Sequence, residues 1–168
     1  MERVLFQTSP GKGSDMRKLN PDYVQAVCAL INPCPYFRLL SMEMRELSLG
    51  HALMEADVEE KHLQAFGYVH GGVFASIVDT AAFWAVFCKL DENVGITSVD
   101  LKLNYLAPVQ KGKLIARGRC IKLGKTLGLG EAEITSSEGK LIAQGTSTLI
   151  ILPGFGLAGS PLLPPKFL

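Results

Sequence analysis

No CxxC pair and no dense cysteine framework occur among the four cysteines, Cys28, Cys34, Cys88 and Cys120. Their scatter points to reduced thiols and away from a disulfide-stapled scaffold. The three histidines, His51, His62 and His70, lack the i, i+4 or acid-partnered spacing of a zinc site, so no metal is expected. Charge is nearly balanced at a formal +1, with no Lys/Arg stripe. This argues against nucleic acid or an anionic membrane surface as the main partner. The most apolar run, Val73 to Cys88, is broken by Ser76, Asp79 and Thr80 and falls short of a membrane span. The N-terminus shows no signal-peptide h-region, from which a cytoplasmic location is expected. With 168 residues, 48% apolar and 20% charged, the chain suits one domain with a sizeable core.

What the sequence does contain is orderly. Residues 1–20 are polar and read as a flexible arm. Asn20 can then cap a short helix with Pro21 at its first position, running to the Pro33-Cys34-Pro35 break, and Pro35 to Leu40 suggests a second short helical piece. Met42 to Val58 reads as strand, turn and strand around Gly50-His51. Val73 to Cys88 reads as a long helix. Ile96 to Leu106 follows as a strand in which Val99, Leu101, Leu103 and Tyr105 alternate with Ser98, Asp100, Lys102 and Asn104. This phase puts Ser98 on the polar side. Three more strands are expected over Lys113–Lys122, Leu127–Ser136 and Lys140–Leu152, leaving an irregular tail over 153–168. The predicted class is α+β, with a mostly antiparallel sheet against one long helix. One sheet can cover an all-apolar helix on one side only, so a second subunit or a lid-like N-terminal helix must cover the rest.

Chemistry concentrates in Gln64-Ala-Phe-Gly67-Tyr-Val-His70-Gly71-Gly72 and the helix after it. An acid inside a helix that is apolar all round is costly to keep without a partner or a purpose. Asp79 is such an acid. Gly71 and Gly72 let a ligand approach backbone N–H groups at the positive end of the helix dipole, a place suited to negative charge growing on a carbonyl oxygen. Each feature also has a plainer reading. Asp79 alone could be a structural acid paired with a hydroxyl, Gln64 a surface amide, His70 a loop histidine and Ser98 a solvent-facing strand serine. Phe83 and Trp84 read as core or as the wall of an acyl pocket. The register of Gln64, Gly71, Gly72 and Asp79 favours an active site. Gly118-x5-Gly124-Lys125-Thr126 is not a P-loop: its spacer is one residue too long and a strand follows.

At these residues the chain resembles the hotdog-fold acyl-CoA thioesterases. The resemblance rests on Gln-x-Phe-Gly-x-x-His-Gly-Gly with an acid nine residues beyond the His, and spans about residues 36–152. It includes the Val99-Asp-Leu-x-Leu-Asn-Tyr-x-x-Pro108 strand, the Gly124-Lys-Thr turn and the closing Gly139-Lys-Leu-Ile-Ala-x-Gly145 strand. Asp79-Thr80-Ala81 is nearest the phenylacetate-pathway (PaaI-like) branch, whereas Gln64 is typical of the 4-hydroxybenzoyl-CoA branch, which pairs it with Glu. The resemblance implies a hotdog fold and a set of roles. Asp79 would be general base or nucleophile. Gly71 N–H would polarise the thioester carbonyl, His70 would shape the loop, and Gln64 would orient water or thioester. Ser98 would assist, and Lys125 and Thr126 would contact coenzyme A phosphate. No cofactor is implied beyond the coenzyme A carried by the substrate.

Eight residues of helix separate Gly71 from Asp79, roughly 12 Å at ~1.5 Å per residue. One thioester carbonyl cannot touch both on the same helix. If both are catalytic, they come from different subunits of a homodimer, or of a homotetramer built from two dimers. The expected function is hydrolysis of acyl-CoA thioesters, with an aromatic or medium-chain acyl group. The alternative of a different class is a non-catalytic acyl-CoA-binding or sensing protein on the same fold. Its regulatory relatives add a DNA-binding helix-turn-helix, for which the stretch before the first strand leaves little room. A hotdog dehydratase would need a His/acid pair at another spacing.

Overall fold

The computed structural model describes residues 17–157 and 163–168. Most of the expected N-terminal arm (1–16) and residues 158–162 of the tail lie outside the described residues. Helix α1 spans Pro21–Ile31; Asn20 Oδ1 accepts the Asp22 N–H at 3.0 Å and Pro21 stands in the first turn, as Asn-Pro predicts. Tyr23, Val27 and Ile31 recur every fourth residue and form its buried face. Helix α2 covers Pro35–Leu39. Strands β1 (Met42–Ser48) and β2 (His51–Asp57) form a hairpin closed at Gly50, whose φ of +80° is left-handed.

Helix α3 runs over Gly71–Phe87, beginning two residues earlier than the expected Val73–Cys88 and taking both motif glycines into its first turn. The reason is local: His70 is the N-cap, and its Nδ1 accepts the Gly72 N–H. Val73, Ile77, Val78 and Val86 are poor helix formers, costing up to about 0.7 kcal/mol each. All four are buried, and burial returns about 1.5–3 kcal/mol for such a side chain. Packing therefore outweighs propensity.

Strands β3 (Val94–Tyr105), β4 (Lys113–Leu123), β5 (Leu127–Ser136) and β6 (Leu141–Pro153) complete one antiparallel sheet in the order β1-β2-β4-β5-β6-β3. The sheet wraps α3 closely. A Cβ at Gly118 would stand 2.1 Å from Ala81 O, and one at Gly130 2.7 Å from Ala82 O, so glycines under alanines bring sheet and helix backbones together. A six-stranded antiparallel sheet around one long helix is the hotdog arrangement.

The simple alternation expected along β3 does not hold. A bulge between Ser98 and Asp100 leaves Val99 unpaired and reverses the phase. Val99 is 56% exposed, and Tyr105 is exposed too, whereas Ser98 joins buried Ile96 on the helix side. β3 is also an edge strand. α1 makes its sheet contacts with β1. A stripe on α3 comprising Ala75, Ser76, Asp79, Thr80 and Phe83 remains half-buried, touched by α2 through Tyr36 Oη, 2.7 Å from Ser76 Oγ. At the far end of α3 the tail docks: Lys166 is buried and donates from Nζ to Phe87 O at 2.7 Å.

Candidate active site

The segment before α3 is held as a small closed loop. Glu59 N–H donates to His62 Nδ1 at 3.0 Å, and His70 N–H donates to His62 O at 2.8 Å. Between them Leu63 bridges Val69, and Gln64 N–H donates to Tyr68 O at 2.8 Å. His62 is only 2% exposed, and its Nε2 has no partner among the described residues. Burial is the main cause holding its pKa below the usual histidine value, with Lys61 adding to the shift and Glu59 opposing it. His62 is therefore a neutral strut under the loop.

That loop delivers Gln64 and Gly71 to one cleft of about 450 Å³, walled by Tyr68, Phe74, Tyr105 and Pro108. Gly71 N–H, in the first turn of α3, has no acceptor among the described residues. His70 Nδ1 is occupied by Gly72 N–H at 2.9 Å, which assigns the ring proton to Nε2. The Tyr105 ring crowds Gly71: a Cβ there would lie 3.0 Å from it.

Asp79 stands elsewhere. Its Oδ1 accepts Ser98 Oγ at 2.8 Å and Ser147 Oγ at 2.7 Å, and Asp79 does not line the Gln64–Gly71 cleft. The chain thus carries two separate clusters, Gln64 with Gly71 and Asp79 with the two serines. Gly72 is exposed beside the first. Lys125 and Thr126 meet neither: their exposed turn joins β4 to β5 beside the last turns of α3, where a Cβ at Gly128 would meet Val86 at 2.6 Å.

Ser147 was not legible as a site residue from motif spacing. One signal was available, since it alternates with fully buried Leu149 on β6, and a buried hydroxyl in an apolar row needs a partner. A larger cavity of about 530 Å³ lies on the outer face of the sheet between Arg117, Arg119, Glu131 and Lys102. None of the residues singled out for chemistry lines it. Among the described residues no three His, Cys, Asp or Glu side chains cluster as a metal site, and no helix is long and apolar enough to cross a membrane.

An open helix-terminal N–H in a cleft and, apart from it, a hydroxyl-held acid are groups of the kind acyl-transfer chemistry uses. Residues 66–143 match the thioesterase superfamily. Human acyl-coenzyme A thioesterase 13 is 37% identical over 101 residues, which are 59% of this chain and 71% of that protein. The 1,4-dihydroxy-2-naphthoyl-CoA hydrolase of Listeria monocytogenes is 28% identical over 67% of this chain and 91% of its own. A crystal structure of a Haemophilus influenzae thioesterase superposes with a TM-score of 0.73 at 24% identity, over 80% of this chain and 94% of that one. The chain belongs to the thioesterase superfamily and is a thioester hydrolase.

Proposed function

We propose that the protein hydrolyses acyl-CoA thioesters at a site completed by two copies of the chain. One observation carries this reading: the open Gly71 N–H and the Asp79 carboxylate lie in different places on one helix, roughly 12 Å apart along its axis. Two antiparallel α3 helices, related by a two-fold axis, would set Gly71 and Gln64 of one copy against Asp79 of the other. The half-buried stripe around Asp79 and the unpaired edge of β3 are the surfaces such pairing would cover.

In that site Gly71 N–H polarises the thioester carbonyl and stabilises the oxyanion, and Gln64 orients the thioester or the water. Asp79 takes the proton of the attacking water, or attacks the carbonyl carbon itself to give an anhydride that water then hydrolyses; in both routes the C–S bond breaks and coenzyme A leaves as its thiol. The Lys125-Thr126 turn lies near the Val86 end of α3, roughly 22 Å of helix from Gly71. An antiparallel partner would bring it towards the opposite Gly71, within reach of coenzyme A phosphates.

The acyl group we assign is aromatic or medium-chain, on the PaaI-like side of the superfamily. Phe74 and Tyr105, with ring centroids 6.3 Å apart, give the cleft an aromatic wall, and the name of the Listeria relative specifies an aromatic acyl-CoA. A panel of aromatic, short-, medium- and long-chain acyl-CoAs, with released thiol measured, tests this. The highest kcat/KM is expected for aromatic or medium-chain substrates. A preference for acetyl- or palmitoyl-CoA would overturn the substrate assignment, and no turnover of any acyl-CoA would overturn the activity.

A further inference from the structure

Asp79 is held unevenly. Both hydroxyls that reach it, Ser98 Oγ at 2.8 Å and Ser147 Oγ at 2.7 Å, converge on Oδ1. Oδ2 accepts no hydrogen bond from the described residues. The two donors come from adjacent antiparallel strands: Ser98 on β3 pairs with Leu149, and Ser147 on β6 pairs with Leu101. Ser98 can take part only because the bulge at Val99 sets the phase of β3 apart from the alternation that follows it. Ser147 is 0% exposed and sits in an otherwise apolar row.

We propose that Ser147 is a positioning residue which, together with Ser98, occupies Oδ1 and leaves Oδ2 as the single reacting oxygen of Asp79. The inference rests on Asp79 being the acid of the thioesterase site. An ionised carboxylate offers about four lone-pair directions, two on each oxygen. Two O–H donors fill those of Oδ1. One hydroxyl alone would let the carboxylate turn about its Cβ–Cγ bond and present either oxygen. Two hydroxyls on separate strands fix the plane of the group, and charge-assisted hydrogen bonds of this kind are the stronger class. The consequence is the same for both chemical routes. With water as nucleophile, its proton goes to Oδ2, hydroxide adds to the carbonyl carbon, the C–S bond breaks and the departing sulfur takes up a proton. With direct attack, the new C–O bond forms from Oδ2 as the C–S bond breaks and the departing sulfur takes up a proton, and water then hydrolyses the mixed anhydride, freeing the acid and restoring the carboxylate. Ser147 touches no reacting atom in either route; it acts through Asp79.

The test is a double-mutant cycle on the full chain with an accepted acyl-CoA, following kcat and KM separately. Ser147→Ala is expected to lower kcat about ten-fold, the scale of losing one hydrogen bond to a charged group, with KM changed less than about two-fold. Ser147→Cys preserves the volume but is a weak donor, so it should lose nearly as much and guards against a variant that fails to fold. In an Asp79→Asn background, Ser147→Ala should leave the residual rate unchanged. A folded Ala or Cys variant with wild-type kcat would overturn the inference. So would an equal loss in the Asp79→Asn background, because Ser147 would then act independently of the acid. If Asp79→Asn itself retained full activity, the reading of Asp79 would fail and this inference with it.

Discussion

The two ends of α3 are finished in opposite ways. At the first turn the Gly71 N–H is left open in a cleft, beside a histidine whose Nδ1 is spent on Gly72. At the last turn the Phe87 carbonyl is met by a buried ammonium, Lys166 Nζ, which also lies 4.2 Å from the centroid of the Phe87 ring. The same helix dipole acts at both ends. Where its charge is answered from within the chain, the contact serves stability; where it is left unanswered, the end is available to a ligand. Asp79 lies between them on a stripe the single chain covers only in part. Changes towards the Gly71 end and at Asp79 should therefore cost turnover, and changes at the Phe87 end should cost stability.

The largest effect is expected at Asp79. Asp79→Asn should lower turnover of any accepted acyl-CoA by ~10²–10⁴-fold while leaving the fold intact. Steady-state kinetics with a thiol reporter, beside a circular-dichroism melt, would decide this; activity within a few-fold of the parent would remove Asp79 from the mechanism.

Next comes the helix start. Gly71→Pro deletes the N–H at a position where proline suits a helix, and should cost ~10²–10³-fold in kcat. Gly71→Ala meets the same Tyr105 ring but retains the N–H, so the gap between the two variants isolates the donor. Mixed after subunit exchange, Gly71→Pro and Asp79→Asn should regain part of the activity, since one site of the hybrid would hold both intact groups. A mixture that stays inactive despite confirmed exchange would require a site within one chain.

A smaller loss, roughly ten-fold, is expected for Gln64→Ala, with Gln64→Asn partly tolerated because only one methylene is removed. Unchanged kcat and KM in Gln64→Ala would exclude the orienting role.

At the opposite end, Lys166→Met should lower stability by about 1–3 kcal/mol, through loss of the charge-assisted hydrogen bond to the Phe87 carbonyl, which then keeps the Leu90 N–H at 3.1 Å, with kcat unaltered. Burial pushes the Lys166 amine down to about 8 from an ordinary 10.5. The folded chain therefore loses this proton before the unfolded chain does, so this group makes stability rise with pH from about 8 upward. Cys88, pushed up to about 12 by burial, and Tyr23, also raised to about 12, act in the reverse sense above their ordinary values of 9.0 and 10.0. The clean window is thus pH 8 to 9. Denaturant titrations there should show stability rising in the parent and flat in Lys166→Met. Equal slopes would dissociate the tail contact from this proton.

Much of this division can be read in the residues themselves. Asn20-Pro21, the glycine turns and the apolar run after His70 announce their elements because the causes are local: a cap, a left-handed φ, a face with no polar side. The boundaries moved where a side chain made a local bond the pattern does not show, as when His70 took up the cap and drew Gly71 and Gly72 into the helix. The phase of β3 departs from simple alternation for a different reason. Alternation assumes an unbroken ladder, and the bulge at Val99 depends on how β6 pairs alongside. Ser147 carries no motif spacing because its place is set by a contact with Asp79, 68 residues away in the chain.

By itself, then, the sequence determined the elements, the antiparallel class and the open helix start with its glycines and nearby amide. Those follow from periodicity, backbone freedom and the helix dipole, which act over a few residues. Only the tertiary structure decided that two serines meet one oxygen of Asp79 and that the tail caps the last turn of α3. These are matters of which strand lies beside which and in what register, and the register is settled by the packing of the whole sheet around the helix.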